Sequence, residues 1–285
     1  MVCEVCFRQC EIKEGHTGFC GVRECTGGQI QARSYGKITS LALDPIEKKP
    51  LHRFFPGSYI LSVGSYGCNL RCPFCQNAEI SWSKEAMRYE KEADELTPEE
   101  VVDLAQSYKN RGNIGIAFTY NEPLIGYEYV LDTAKLSHQK GLKNVLVTNG
   151  CASSAVLSKL SPYIDAMNID LKGFTDRYYR EVLGGDLDMV KAFITQAVKS
   201  CHVELTTLIV PGENDTDAEM EQISRWIASL TNETGEVIGK DIALHISRFF
   251  PRFMMQDKRA TDVGLIYHLK EVAEKNLRFV YTGNC

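Results

Sequence analysis

The 285-residue sequence has no run of about 18 apolar residues, so it contains no predicted membrane-spanning helix. It has no excess of basic residues either, because 32 Lys and Arg stand against 37 Asp and Glu, for a net charge of −5. That balance gives no reason to expect binding to nucleic acid. The N-terminus, Met1 to Glu4, is not that of a signal peptide, and no repeat or low-complexity tract is present. These absences predict a cytoplasmic protein that binds neither membranes nor nucleic acid.

Cysteine, by contrast, is plentiful. Eleven cysteines are both a high and an odd count for this length. Without an export signal, they are predicted to be metal ligands and free thiols rather than disulfides. The rest of the composition, 44% hydrophobic and 24% charged, is ordinary for a globular protein, and the length suits one barrel-sized domain with a small appendage.

Three cysteines in one loop carry the strongest chemical signal. They stand at the spacing C-x3-C-x2-C: Cys68, Cys72 and Cys75. The loop follows an apolar run at 59–63 that is typical of a buried strand, and the next cysteine is Cys151. Three thiolates can hold three irons of a [4Fe–4S] cube and leave the fourth open, as a catalytic site requires, and Phe74 would place an apolar ring beside the third ligand. A zinc knuckle or plain buried cysteines are the alternatives, but zinc motifs usually contain two cysteine pairs.

A second group of cysteines lies near the N-terminus. Its candidate ligands are Cys3, Cys6, Cys10 and Cys20, with His16 and Cys25 close by in the sequence. A short polar segment buries little apolar surface, so a bound metal would supply its folding energy. The spacing fits zinc or a second iron–sulfur cluster and does not decide between them. The alternative is a set of free surface thiols.

The order of predicted elements divides the chain at residue 50. Residues 1–50 form a cysteine-rich segment with a small hairpin predicted at 27–43. Residues 51–285 alternate strands with helices, and one helix start is marked by the capping box that begins at Thr97. This alternation implies parallel strands joined by right-handed crossovers. Six or seven such units favour an α/β barrel or partial barrel over a two-sided sheet.

Polar residues follow the ends of the predicted strands, which is where α/β barrels carry their sites. Besides the three loop cysteines, the candidates are Tyr120, Asn121, Glu122, Thr148, Asn149, Asn168, Asp170, Lys172, Val210 and Arg248. The Glu122 carboxylate suits the ammonium group of a bound amino acid moiety, and the alternative is that Glu122-Pro123 simply starts a helix. The polar residues at 148–149 and 168–170 suit ribose hydroxyls or a cation.

The remaining candidates allow two interpretations each. Lys172 can face a ligand carboxylate or form a structural ion pair with Asp170. Val210 offers an apolar edge to an adenine ring, and Arg248, at a strand end, suits an anion. His245 is either a core histidine or a site residue. The aromatic and methionine residues at 249–255 either cover the site or belong to the core, and the core role is the one favoured.

Besides the cysteine loop, several short motifs are spread over most of the chain. They are Gly15 to Arg23, Pro56-Gly57-Ser58, Thr119 to Pro123, Thr148-Asn149-Gly150, Asp170-Leu171-Lys172, Pro211 to Asp215 and Ser247-Arg248-Phe249. Together with the loop, they resemble the radical SAM enzymes of the pyruvate formate-lyase activating branch, and most closely the AmmeMemoRadiSam-system radical SAM enzymes. The resemblance implies a partial (β/α)6 TIM-like barrel. It also implies a [4Fe–4S] cluster on the three cysteines and S-adenosylmethionine (SAM) bound at the open iron, with Glu122 near its amine. Tyr120 and Asn121 stand where the family has two glycines.

The same resemblance implies a function. In these enzymes the cluster cleaves SAM reductively to a 5′-deoxyadenosyl radical, which takes a hydrogen atom from a substrate C–H bond. The default substrate is a glycyl residue of a partner enzyme, and another peptide or a small molecule is the alternative. An electron donor such as flavodoxin or ferredoxin would supply the electron. A hypothesis of a different class is a non-catalytic zinc-binding interaction module. It would leave the polar residues at the strand ends without a function.

Overall fold

Strands and helices alternate along the computed structural model, which describes all 285 residues. The strands are β1 (Arg23–Thr26), β2 (Gln29–Ala32), β3 (Lys37–Ile38), β4 (Ser40–Pro45), β5 (Tyr59–Gly64), β6 (Asp94–Glu95), β7 (Asn113–Phe118), β8 (Lys143–Thr148), β9 (Ala166–Asp170), β10 (His202–Ile209), β11 (Ala243–Arg248) and β12 (Val280–Gly283). The helices are α1 (Ala78–Ser81), α2 (Tyr89–Glu92), α3 (Pro98–Ser107), α4 (Tyr127–Gln139), α5 (Ser154–Leu160), α6 (Leu187–Ala197), α7 (Asp217–Ala228) and α8 (Val263–Glu274). A π-helical stretch spans Tyr178–Leu183, and short 3-10 turns span Ile46–Lys48, Lys84–Arg88, Lys109–Arg111, Pro123–Gly126, Ser161–Tyr163 and Gly239–Asp241.

Eight of the strands form one sheet in the order β12-β11-β10-β9-β8-β7-β5-β4. The seven strands from β5 to β12 in that order run parallel, and β4 lies antiparallel against β5 at one edge. The two edge strands, β12 and β4, do not pair with each other, so the barrel is partial. The predicted α/β partial barrel is confirmed, with one parallel strand more than the six that the resemblance implies.

Side chains alternate between the two faces of the sheet, and each face has its own apolar partners. The outer face packs against the helices in the large core of the molecule. Toward the strand starts, the inner face packs against the segment between β4 and β5; the residues in this contact are Ile46, Leu51, Phe54, Ile60, Ala117, Val145 and Ala166. The segment 46–54 therefore closes the N-terminal end of the strands and leaves the C-terminal end available to a ligand.

Local sequence signals fix several helix boundaries. Thr97 accepts a hydrogen bond from the backbone N–H of Glu100, and the Glu100 side chain accepts one from Thr97, so the predicted capping box is present at the start of α3. After α3, a short 3-10 turn ends at Gly112, whose φ of 84° is one that favours glycine. None of the helices is long and apolar enough to span a membrane.

The N-terminal segment packs against the barrel beside the cysteine loop. Its hairpin is β1 with β2, whereas β3 pairs with β6 and β4 joins the main sheet. The hairpin predicted at 27–43 is therefore placed too late in the chain. Val5 belongs to the main core, and its carbonyl accepts a 2.8 Å hydrogen bond from the Ser153 backbone N–H. The segment thus forms an outer wall behind the loop that follows β5.

Candidate functional site

The loop that carries the three cysteines follows β5 at the C-terminal end of the parallel strands. Residues from the end of β7 hold it in place on both sides. The Asn121 side chain accepts a hydrogen bond from the Ser65 backbone N–H (3.0 Å) and donates one to the Tyr66 carbonyl (3.0 Å). On the far side, the Asn77 side chain donates to the Tyr120 carbonyl at 2.8 Å. Asn121, predicted as a cofactor residue, acts here through the loop backbone.

The surroundings of the three thiols suit an iron–sulfur cluster. The Cys68 sulfur accepts hydrogen bonds from the Leu70 backbone N–H (3.4 Å) and the Asn149 side chain (3.7 Å), and such donors stabilise metal-bound thiolates. Burial raises the pKa of the Cys72 thiol to about 11, so it stays protonated at neutral pH until a metal displaces the proton. The three side chains do not yet stand in ligating positions around one point. The donor set nevertheless fits the cluster, because all three ligands are soft thiols on one short loop.

Phe74, which the sequence predicts to place an apolar ring beside the third ligand, belongs to the main apolar core. It is buried and meets Phe249 edge to face, with ring centroids 6.3 Å apart. Phe249 is likewise buried, so the prediction of a core role holds for it. Phe250 and Met254 of the same stretch are exposed instead, and for these two the core prediction is wrong.

Glu122 is buried next to the loop, and hydrogen bonds occupy its carboxylate. It accepts from the Thr148 hydroxyl (2.7 Å), the Asn149 backbone N–H (2.8 Å) and the Leu124 backbone N–H (3.1 Å). Burial raises its pKa to about 7 in spite of these donors. The carboxylate therefore fixes the turn after β8, from which Asn149 reaches the Cys68 sulfur. Its contact with a SAM amine stays a prediction.

We expect Glu122→Gln to lower the rate of SAM cleavage by about 10- to 100-fold, the usual cost of removing an outer partner of a metal ligand. The substituted amide places an NH2 group opposite N–H donors, so the turn at 148–149 loses part of its support. The measurement is 5′-deoxyadenosine formation at equal iron content. Glu271→Gln, on the exposed side of α8, is the matched control and should retain the wild-type rate. Equal rates for the two variants would contradict the role given to Glu122.

Asp170 and Lys172 form an ion pair at the end of β9, with Lys172 Nζ 2.7 Å from Asp170 Oδ2. Burial opposes the charge on Lys172, but Asp170 and Cys72 nearby raise its pKa well above the usual value. The Lys172 backbone N–H also donates to the Tyr179 hydroxyl at 3.0 Å. Of the two predicted interpretations, the structural pair is present, and it brings a cation close to Cys72.

The Tyr120 side chain lies in the barrel interior, where it belongs to a hydrogen-bond network that the sequence analysis missed. Its hydroxyl donates to Asp44 Oδ2 at 2.8 Å, and the same oxygen accepts from Lys49 Nζ and Ser62 Oγ, both at 2.9 Å. Tyr120 has a φ of 73°, which favours glycine, and it stands at one of the two positions where the resemblance implies glycine. The ring fits because residue 64 is glycine: a Cβ there would lie 2.7 Å from the ring. The three polar residues at 44, 49 and 62 carried no sequence signal for this role.

Three other residues that were predicted to contact the cofactor are engaged by contacts within the protein and are not free at the C-terminal end of the strands. Asn168 donates to the Pro50 carbonyl (2.8 Å) and accepts from Thr206 (2.9 Å), so it ties β9 to the segment that closes the strand starts. Val210 is fully buried. Arg248 is half-buried and donates from Nε to the Thr261 carbonyl at 2.7 Å. Their ligand contacts stay predictions.

An open groove of about 720 Å³ lies beside the third cysteine. Its lining comes from the cysteine loop, the start of β4, α1 and the loop after β11, and includes Cys75, Asn77, Glu79, Arg252, Phe253 and Gln256. The two loops are joined, because the Met254 backbone N–H donates to the Pro73 carbonyl at 2.9 Å. A smaller cavity of about 30 Å³ lies behind Glu122. The groove is large enough for a ligand, whereas the sequence analysis favoured a core role for the stretch at 249–255 that forms part of its wall.

His245 lies at the opposite end of the strands from this groove. It is buried, and its ring bonds Glu204 Oε2 at 2.7 Å, while His202 bonds Glu204 Oε1 at 2.9 Å. Of the two interpretations open for His245, the core role is the one present.

The fold and loop together are typical of α/β barrel proteins that bind an iron–sulfur cluster at the C-terminal end of their strands. Residues 62–227 match the model of the Radical SAM superfamily, and the chain belongs to that superfamily. Its cofactors are accordingly a [4Fe–4S] cluster and SAM. That the three cysteines of the loop after β5 hold this cluster stays a prediction.

Similar proteins agree with this assignment. An uncharacterized protein of Methanocaldococcus jannaschii is 39% identical over 99% of this chain and 80% of its own length. The pyruvate formate-lyase-activating enzyme of Clostridium pasteurianum is 26% identical over 58% of this chain and 68% of its own length. Streptococcus suis SuiB bound to S-adenosylmethionine has the same fold at 13% identity, with a TM-score of 0.58 over 77% of this chain and 48% of its own.

Proposed function

We propose that this chain uses its cluster and SAM to take a hydrogen atom from a polypeptide, by default from a glycyl residue of a partner enzyme. The observation that carries the proposal is the open groove beside Cys75. A groove of about 720 Å³ that is open to the surface admits a loop of polypeptide, whereas a small substrate is usually enclosed.

The composition of the groove suits a peptide. Asn77, Arg252 and Gln256 offer hydrogen-bonding groups to a peptide backbone, while Phe253 supplies an apolar surface. The Phe253 ring is fixed edge to face against Trp82, with centroids 5.0 Å apart. Fixed aromatic surfaces beside polar groups are common where proteins bind peptides.

The similar proteins support a polypeptide substrate. One relative is a pyruvate formate-lyase-activating enzyme. SuiB, which shares the fold with a TM-score of 0.56 and 11% identity, has a structure bound to the precursor peptide SuiA. A GTP 3′,8-cyclase, 29% identical over 53% of this chain, keeps a small-molecule substrate as the second candidate.

The residues of this chain have separate tasks in such a reaction. Bound at the loop, the cluster and SAM supply the one-electron chemistry. Cys68, Cys72 and Cys75 hold the cluster. Asn149 donates to the Cys68 sulfur, and the Lys172 ammonium lies near Cys72, so both favour the negative charge of the thiolates. Phe74 keeps water from the loop interior.

The experiment follows deuterium from substrate to product. The reconstituted protein is given SAM, a reductant and the protein fraction of its host grown on glycine deuterated at the α-carbon. We expect deuterium in 5′-deoxyadenosine, because the abstracted atom ends there. The control is the dialysate of the same labelled cells, which contains their small molecules. Label that arrives only from this control fraction would contradict a polypeptide substrate and favour the second candidate.

A groove variant tests the entry route. Gln256→Trp places a large ring in the groove and leaves the sequence of the cysteine loop unchanged, so substrate-dependent deuterium transfer should fall at least about tenfold. SAM cleavage in the absence of substrate should continue. The measurement compares labelled with unlabelled 5′-deoxyadenosine in wild type and variant. Undiminished transfer would mean that the substrate enters elsewhere.

A further inference from the structure

The N-terminal cysteines surround a single small cavity. Its lining includes the thiols of Cys3, Cys6, Cys10 and Cys20. Cys25 is not among them, because its thiol turns to Glu14 Oε2 at 3.6 Å. His16 does not line the cavity either, and its ring lies 2.9 Å from the Glu14 carbonyl. Of the thiols near the N-terminus, the fold therefore gathers four and excludes the fifth.

The cavity also presents an unsatisfied hydrogen-bond donor. Arg23 lines it and is only 5% exposed. Its terminal nitrogens bond Glu128 (2.6 Å) and the Ile30 carbonyl (3.2 Å), but its Nε–H has no partner. Burying an N–H group of a cation without a hydrogen-bond acceptor costs free energy. A negatively charged group in the cavity would supply that acceptor. Arg8 is a second cation in the cavity wall.

Two of the sulfurs already accept backbone hydrogen bonds of the kind found around metal-bound thiolates. The Phe19 N–H donates to Cys10 Sγ, and the Arg23 N–H donates to Cys20 Sγ, each at 3.5 Å. No three of the four thiols yet stand in ligating positions, as is also true of the cysteines after β5. A bound ion would draw them together over a short distance.

The size of the cavity decides between a cluster and an ion. Its volume is about 10 Å³, the room of one water-sized atom. An eight-atom [4Fe–4S] cube would force its walls apart, whereas one tetrahedral ion with four thiolates fits. The geometry points to a single Zn²⁺ bound by Cys3, Cys6, Cys10 and Cys20, a closed site of the structural type. Its four thiolates leave an excess negative charge that faces Arg23 and Arg8.

This zinc site is connected to the cluster loop through Asn69. Asn69 lines the same cavity as Cys6. Its Oδ1 accepts from the Asn149 side chain at 2.9 Å, and the same Asn149 nitrogen lies 3.7 Å from Cys68 Sγ. Arg8 adds a 2.8 Å hydrogen bond to the Asn69 carbonyl. The zinc would thus hold the wall against which the cluster loop rests.

The test counts metals in a full-length chain that cannot hold the radical SAM cluster. With Cys68, Cys72 and Cys75 all replaced by alanine, the chain is reconstituted anaerobically with iron and sulfide, then analysed by elemental mass spectrometry. We expect about one zinc per chain and no iron–sulfur absorbance. About four irons per chain would overturn the proposal in favour of a second cluster, and a chain without any metal would overturn it altogether. The outcome does not depend on the proposed function, because this variant has no radical chemistry.

A second measurement identifies the ligands. X-ray absorption at the zinc edge should show four sulfur neighbours at about 2.3 Å. Cys10→Ser should retain less than about a tenth of the zinc after treatment with a chelator. Cys25→Ser is the matched control and should retain all of it. Loss of zinc from both variants alike, or nitrogen and oxygen neighbours in the spectrum of the wild type, would contradict the ligand set.

Discussion

Replacing Cys72 with alanine is expected to abolish SAM cleavage, with 5′-deoxyadenosine formation lowered at least about 1000-fold. Cys72 is the central cysteine of the C-x3-C-x2-C loop and is only 8% exposed, so no water or solvent anion easily takes the place of its sulfur. Without it, one iron of the cluster has no protein ligand, and the iron–sulfur absorbance should disappear as well. The measurement is product formation under anaerobic conditions with dithionite, by mass spectrometry.

Cys201→Ala is the matched control for this variant, since it removes a thiol by the same substitution. Cys201 lies just before β10, at the end of the strands opposite to the cluster loop, and its thiol donates to the Ala197 carbonyl at 3.7 Å. This variant should keep both absorbance and product. Product from Cys72→Ala at the wild-type rate would contradict the ligand assignment. If the wild-type chain binds zinc instead of iron and forms no product, the result would instead favour the non-catalytic zinc-binding module.

The cysteine loop could be predicted from the sequence because its information is local. Three cysteines within eight residues, after one apolar strand, predict a metal site without any knowledge of distant contacts. The alternation of strands and helices was predictable for a similar reason, as each element carries its own periodicity and caps. The N-terminal hairpin was misplaced because β3 and β4 are also extended, but pair with β6 and β5 rather than with each other.

The supports of the site could not be predicted, because they depend on contacts between distant residues. Tyr120 and Asp44 are 76 residues apart, and Asn69 and Asn149 are 80 apart. Sequence position alone gave Tyr120 and Asn149 the role of ligand contacts. In the structure, Tyr120 fills the barrel interior and Asn149 donates to the Cys68 sulfur. A single polar residue at a strand end reveals that it is near the site, but not which partner it bonds.

His245 shows the same limit at the other end of the barrel. Strand alternation indicates which face it occupies, but its neighbours, Glu204 on β10 and His52 in the closing segment, come from other parts of the chain. The Glu204 carboxylate is fully buried and accepts four hydrogen bonds, from the rings of His202 and His245 and from the backbone N–H groups of His52 and Arg53. This cluster fastens the closing segment to β10 and β11.

Replacing Glu204 with glutamine is therefore expected to lower the free energy of unfolding by about 3 kcal/mol. Glutamine has nearly the same shape, but its amide loses the charge and places an NH2 group against N–H donors. The measurement is denaturant unfolding of chains with equal metal content. Glu271→Gln, exposed on α8, is the control and should change stability by less than about 0.5 kcal/mol. If Glu204→Gln also changes stability by less than about 0.5 kcal/mol, the closing segment is held by its apolar residues alone.

The pH dependence of this loss provides an independent check. Burial alone would raise the pKa of Glu204, but the rings of His202 and His245 and the Arg53 N–H lower it from 4.5 to about 2. Since the folded pKa lies below the unfolded one, the folded chain binds fewer protons, and the stabilisation is complete above about pH 4.5. It is lost as the pH falls from there towards 2. The stability difference between wild type and Glu204→Gln should accordingly shrink across this acidic range, whereas a purely steric effect of the substitution would leave it constant.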